Sequence, residues 1–248
     1  MENIHLKKVG AADLGEVTLL VGDPARVELI SSQWDTHQLV SENREFILVT
    51  GTWKGTTVSI CSTGIGVGST EIAIIELIRS GAKKLVRLGG CGAWNDRLSA
   101  GDLLFNHAMV RDPGMLHQYV SDTYPAAADP DLLAQIKLQA ENSGFRVHTG
   151  IGMTTQSYYL GQSREHGISN GPQPNKNWMD YWKERHVLNA EMESAVLFTL
   201  ASLYQIPAAN CLVVHVNRLN EQWVSDQDYQ AMHQQAAKLV LDACVKIK

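Results

Sequence analysis

The chain has 248 residues, 44% hydrophobic and 19% charged, enough for one large globular α/β domain with a substantial core. Its formal net charge of −5 excludes a general attraction for nucleic acid or an anionic membrane, so an anion site must rest on a few placed arginines. Cys61, Cys91, Cys211 and Cys244 show no zinc spacing, the opening "MENIHLKKVG" lacks a signal-peptide core, and no run reaches the ~18 apolar residues of a membrane span; these features predict a cytoplasmic protein with reduced thiols.

The first β-like run, Thr18–Val21, enters "GDPAR" and a helix predicted over Pro24–Ser31. Gly22 permits close backbone approach, Pro24 suits a first helical turn, and free N–H groups with Arg26 favour an anion. No G-x-x-x-x-G-K-[ST] is present, so a nucleoside-triphosphate loop does not explain this turn. "SENREF" adds Arg44 and Glu45 ahead of strands predicted over Phe46–Thr50 and Thr57–Ser62. "CSTGIGVGST" then opens a helix predicted over Ser69–Ser80; its G-x-G-x-G-S spacing does not match the dinucleotide fingerprint.

Gly81 suits a left-handed helix stop before the run Leu85–Leu88. Within that run Arg87 stands among apolar neighbours, where a guanidinium is costly unless it pairs with an acid or serves a ligand. Further strands are predicted over Asp102–Asn106 and His148–Met153, with a helix over Pro130–Ser143 between them. In "SYYLGQSREHG", the Gln162 amide offers one acceptor and two donors, Arg164 suits a carbonyl gaining negative charge, and Tyr158 supplies a stacking face. Residues 163–178, rich in Gly, Pro and Asn, read as a long surface loop.

"LNAEMESAVLFTLASLY" predicts an interior helix over Glu191–Tyr204, apolar around most of its circumference. On such a helix Glu191 and Glu193 diverge, so they form no acid/base dyad; they serve the helix dipole, or one accepts bonds from sugar hydroxyls. A strand over Asn210–Val216 and a helix over Ser225–Val245 complete the chain, with Ser225 as cap and Asp228 three residues on. The alternation predicts an α/β fold with a mixed or largely parallel sheet, and no repeat or linker divides the single domain 1–248.

Taken together, "GDPAR", "SENREF", "STGIG…STEIAI", "VRLGGCGAW", "GQSR", "EMESA" and "VNR" resemble the uridine phosphorylase branch of the nucleoside phosphorylase family, over nearly the whole chain. The resemblance implies a three-layer α/β/α sandwich around a central mixed sheet, assembled from dimers into a hexamer, with nucleoside and phosphate as partners. The implied chemistry is phosphate-dependent cleavage of uridine to uracil and ribose 1-phosphate, with phosphate as co-substrate and no required cofactor. Gly22, Arg26 and Arg87 would bind phosphate, joined at position 90 and by Arg44 from a neighbouring subunit. Met192, Glu193 and Glu191 would hold the ribose, with His5 reaching across the interface. Gln162 and Arg164 would read the uracil edge beside Tyr158 and Gly92. Arg218, in "VNR", stands where purine-specific relatives carry an aspartate. Arg87, Arg164, Glu193 and His5 are thus the implied catalytic set, and Glu45, Ile65 and Ser69 match positions that hold a potassium-type cation between subunits.

One departure stands out. The resemblance expects a threonine hydroxyl at position 90, where this chain has Gly90, and one hydrogen bond to a charged group is worth about 1.5–3 kcal/mol. A binding protein derived from an enzyme is therefore one competing reading; a hydrolase or a purine phosphorylase of the same fold is another. Three arginines at an anion site argue against the hydrolase, which uses water.

Overall fold

The computed structural model describes residues 2–112 and 114–245. In chain order the elements are β1 (Thr18–Val21), α1 (Ala25–Ser31), β2 (Thr36–Asn43), β3 (Phe46–Trp53), β4 (Thr56–Ser62), α2 (Val67–Arg79), β5 (Leu85–Ala93), β6 (Leu103–Arg111) and β7 (Ala126–Ala127). They continue with α3 (Pro130–Glu141), β8 (Val147–Thr154), α4 (Trp178–Glu184), β9 (Val187–Glu191), α5 (Ser194–Leu203), β10 (Ala208–Asn217), β11 (Gln222–Trp223) and α6 (Asp226–Cys244).

All the strands join one mixed sheet. β4, β1, β5 and β10, in that order, run parallel to one another, and β3 and β2 extend the β4 side antiparallel. β5 also pairs β9, which leads through β8 and β6 back to β10, so five strands close into a ring. The period-two alternation of β1 and β5 divides the core. Leu19, Val21, Val86 and Leu88 pack beneath α1, α3 and α6, whereas Leu20 and Leu85 lie on the side of α2 and α5. The three-layer sandwich expected from the resemblance is the observed architecture. No helix among the described residues is long and apolar enough to cross a membrane.

Most of the predicted elements are present. Gly81 ends α2 with φ +95°, the left-handed stop expected of it. Ser225 Oγ accepts the Asp228 N–H at 3.1 Å and donates to the Asp228 carboxylate at 2.7 Å, which starts α6. The helix predicted over Glu191–Tyr204 needs correction, because it begins only at Ser194. Glu191 ends β9, and its side chain accepts the N–H groups of Glu193 and Ser194 from in front of the helix. Inside the ring, Asn210 Nδ2 donates to Asn106 at 3.1 Å and to Ser194 Oγ at 2.9 Å, tying the start of α5 to the strands. Residues 163–177 form the expected irregular surface segment, but Trp178 opens α4.

Candidate active site

A cavity of about 650 Å³ opens beyond the carboxyl ends of β1, β4, β5 and β10, where ligands sit in open α/β sheets. It gathers Gly22, Arg26, Arg87, Gly90, Gly92, Glu191, Met192 and Glu193. Tyr158, Gln162 and Arg164 close one wall, and Glu45, Ile65 and Ser69 stand at the cavity as well. Three residues named from the sequence lie outside this lining: His5, Arg44 and Arg218.

Arg87 lies on the α5 face of β5 and is 6% exposed. Its Nε donates to Glu191 at 3.0 Å and its Nη2 makes a short bond to Glu193, while Nη1 is buried without a partner among the described residues. The ion pair with an acid is thus present, doubled onto two glutamates. Burial works against its charge, yet Glu193 and Glu191 hold its pKa above the ordinary arginine value.

The two glutamates converge on this guanidinium, because one ends a strand and the other occupies the turn into α5. Their roles differ. Glu191 is saturated: it accepts from Thr154 Oγ1, from Ser194 N and Oγ, from Glu193 N and from Arg87. Glu193 accepts from Gly66 N at 2.7 Å and from Met192 N at 3.2 Å, besides Arg87. Burial, reinforced by the charge of Glu191, raises the Glu193 pKa despite the pull of Arg87. One cation thus serves two buried carboxylates.

Arg26, half-buried in the first turn of α1, has Nη2 3.8 Å from where a Cβ on Gly22 would stand and Nη1 3.4 Å from His233 Nε2. Burial lowers its pKa, and no acid pairs with it among the described residues. On the wall with Tyr158, Arg164 Nε donates to Gln162 Oε1 at 3.1 Å and Gln162 Nε2 donates to Thr155 Oγ1 at 3.0 Å. The amide is thereby fixed in one orientation. The Arg164 guanidinium lies 4.5 Å from the centre of the Tyr158 ring. A Cβ on Gly92 would stand 3.0 Å from Arg164 Nη2 and 3.1 Å from Arg218 Cδ, so this glycine makes room for both arginines.

Arg218 holds the wall from behind. Its Nη1 donates to the Gln162 carbonyl at 2.6 Å and Nη2 to the Ser163 carbonyl at 3.3 Å. Its pKa falls to about 10 through burial and the nearby charge of Arg164. His5 Nδ1 is 3.2 Å from Glu76 Oε1 and its ring meets Phe46 edge-on at 5.4 Å. Arg44 is exposed in the β2–β3 turn, with φ 57°. Ser69 Oγ lies 2.7 Å from Glu45 Oε1 and 2.6 Å from the Thr63 carbonyl. Ser69's hydrogen bond keeps the Glu45 carboxyl below its ordinary pKa.

The cavity also contains side chains that no motif announced. His215 of β10, Trp223 of β11 and Tyr229 of α6 form an aromatic flank, with Tyr229 stacked on His215 at 3.9 Å and His215 edge-on to Trp223 at 5.2 Å. The only signal available in the sequence was aromatic side chains at a strand end and in a first helical turn.

At the parallel strand ends the cavity sets arginines beside carboxylates and an amide–guanidinium pair, donors and acceptors suited to an anion and a polar ring. The chain belongs to the phosphorylase superfamily, whose family profile matches residues 16–247. Among named proteins it is similar to uridine phosphorylase of Thermococcus kodakarensis, 39% identical over 235 residues that cover 95% of this chain and 83% of the relative. It is also similar to guanosine phosphorylase of Halorubrum lacusprofundi, 34% identical over 193 residues, covering 78% of this chain and 75% of the relative. The crystal structure of uridine phosphorylase from Vibrio fischeri superposes with a TM-score of 0.85 at 31% identity, covering 98% of this chain and 96% of that one.

Proposed function

We propose that this enzyme is a pentosyltransferase that splits uridine with inorganic phosphate, yielding uracil and ribose 1-phosphate. The observation that carries the reading is one cavity that brings Arg26 and Arg87 together with the oriented Gln162–Arg164 pair. A phosphate oxygen attacks the anomeric carbon, the glycosidic C–N bond breaks, and its electron pair leaves with the base. Positive charge grows on the sugar and negative charge on the ring. Bound phosphate offsets the first, and Arg164 with Gln162 stabilises the second without a full general acid. Holding both reactants in place contributes about 7–11 kcal/mol in favourable cases. Met192 and Glu193 hold the ribose; Glu191, whose oxygens are already engaged, positions Arg87 and the turn that carries Glu193.

Pyrimidine preference is supported by Arg218, which bolts the Gln162–Arg164 segment in place at a position where purine-specific relatives would need an acid. The exposed Arg44, and His5 outside its own cavity, support sites shared between subunits of a dimer-based hexamer. Glu45, Ser69 and the Ile65 backbone offer hard oxygen donors suited to a potassium-type cation at that boundary. Four free buried cysteines fit a reducing cytoplasm, and the continuous sheet supports one domain over 1–248.

The test is base release from uridine, thymidine, inosine, guanosine and methylthioadenosine, each with and without phosphate. Phosphate-dependent loss of uridine, with inosine and guanosine untouched, is the expected pattern. Turnover without phosphate would establish a hydrolase instead.

A further inference from the structure

Gly90 leaves a gap in β5 that α6 fills. A Cβ at position 90 would fall inside the van der Waals shell of the Tyr229 hydroxyl and stand 3.0 Å from the ring carbon Cζ. A side chain at 90 and the phenol of 229 therefore exclude one another. The phenol is held in this place from several sides. Its ring stacks on His215 at 3.9 Å with 14° between planes and meets His233 edge-on at 4.4 Å, and its backbone N–H donates to the Ser225 carbonyl at 2.8 Å. The hydroxyl makes no hydrogen bond to any described residue, and Tyr229 is a cavity-lining residue within electrostatic reach of Arg26 and Arg87. A lone donor beside two guanidiniums, one with its own unpartnered Nη1, is arranged for an oxyanion.

We infer that Tyr229 is a phosphate-binding residue, whose hydroxyl donates to a phosphate oxygen from α6 in the space that Gly90 leaves open. The hydroxyl expected on β5 has moved to another element of the fold. Burial raises the phenol's pKa, so it keeps its proton and remains a donor. The inference rests on the phosphorolysis reading and adds a residue to its anion site.

Tyr229→Phe removes the hydroxyl and keeps the ring that His215 and His233 pack against. The expected result is a phosphate KM raised on the order of 10-fold or more, a uridine KM within about twofold, and an unchanged Tm. The rise in Tm that phosphate gives the wild type shrinks in parallel. Tyr229→Leu combined with Gly90→Thr returns a hydroxyl from β5 and recovers phosphate affinity that Tyr229→Leu alone loses. An enzyme that needs phosphate but whose phosphate KM is unmoved by Tyr229→Phe would overturn this assignment alone. A folded double variant no better than Tyr229→Leu also counts against it. Wild-type turnover indifferent to phosphate would overturn this assignment and the phosphorolysis reading together.

Discussion

Arg87 and Arg26 line the same cavity but differ in their partners, and substitution separates the consequences. Arg87 neutralises Glu191 and Glu193 in a buried cluster, and it is also one of the residues lining the cavity. Removing one member of a buried ion cluster leaves uncompensated charge, which costs about 3–5 kcal/mol. Arg87→Ala is therefore expected to lower stability by about that amount as well as impair phosphate use. Arg26, with no acidic partner, is expected to behave differently: Arg26→Ala raises the phosphate KM on the order of tenfold while Tm changes little. Denaturation curves and phosphate titrations of the two variants check this, and equal stability losses would refute the division of labour.

Helix α6 carries Tyr229 and His233, four residues apart and so on one face, Tyr229 to the cavity lining and His233 beside Arg26. His233 is fully buried; burial, then the charges of Arg26, Arg87 and His215, push its pKa well below the ordinary histidine value. The folded state thus holds it neutral while the unfolded chain titrates near pH 6.5. Its contribution to stability is complete above that pH and declines as pH falls toward the folded value, by about 1.4 kcal/mol per unit. Stability measured between pH 7 and 5 should fall more steeply in the wild type than in His233→Gln; parallel curves would contradict the neutral buried state. At this scale the sequence was readable where periodicity or turn chemistry is strong: β1, β4, α2 with Gly81, and α6 with its Ser225 cap. β2 escaped because "THQLVSEN" is mostly exposed and polar. β9 escaped because Leu188, Ala190 and Glu191 have helical propensity that the closed ring overrides. Of the charged and amide residues named from motifs, Arg26, Glu45, Arg87, Gln162, Arg164, Glu191 and Glu193 line the cavity, whereas His5, Arg44 and Arg218 do not. Tyr229 was not legible, because it belongs to no motif and meets the cavity only through the space left by a glycine on strand β5.

Across the whole molecule, His5 and Arg44 stand apart from the cavity formed by their own chain. If two subunits build each site, Arg44→Ala and Arg164→Ala proteins, inactive separately, restore activity when mixed after dissociation. Random pairing makes half the dimers mixed, with one intact site of two, so roughly a quarter of wild-type activity returns. A self-sufficient chain would show no recovery. The ring of five strands carries a further consequence for biosynthesis. β5 emerges from the ribosome long before β10, its parallel neighbour, and α6 follows later still. Such distant pairing is slow to form and leaves glycine-rich strand edges exposed in the meantime. A nascent chain stalled before β10 therefore holds its arginines and acids without a pocket to share, and is a natural client for chaperones.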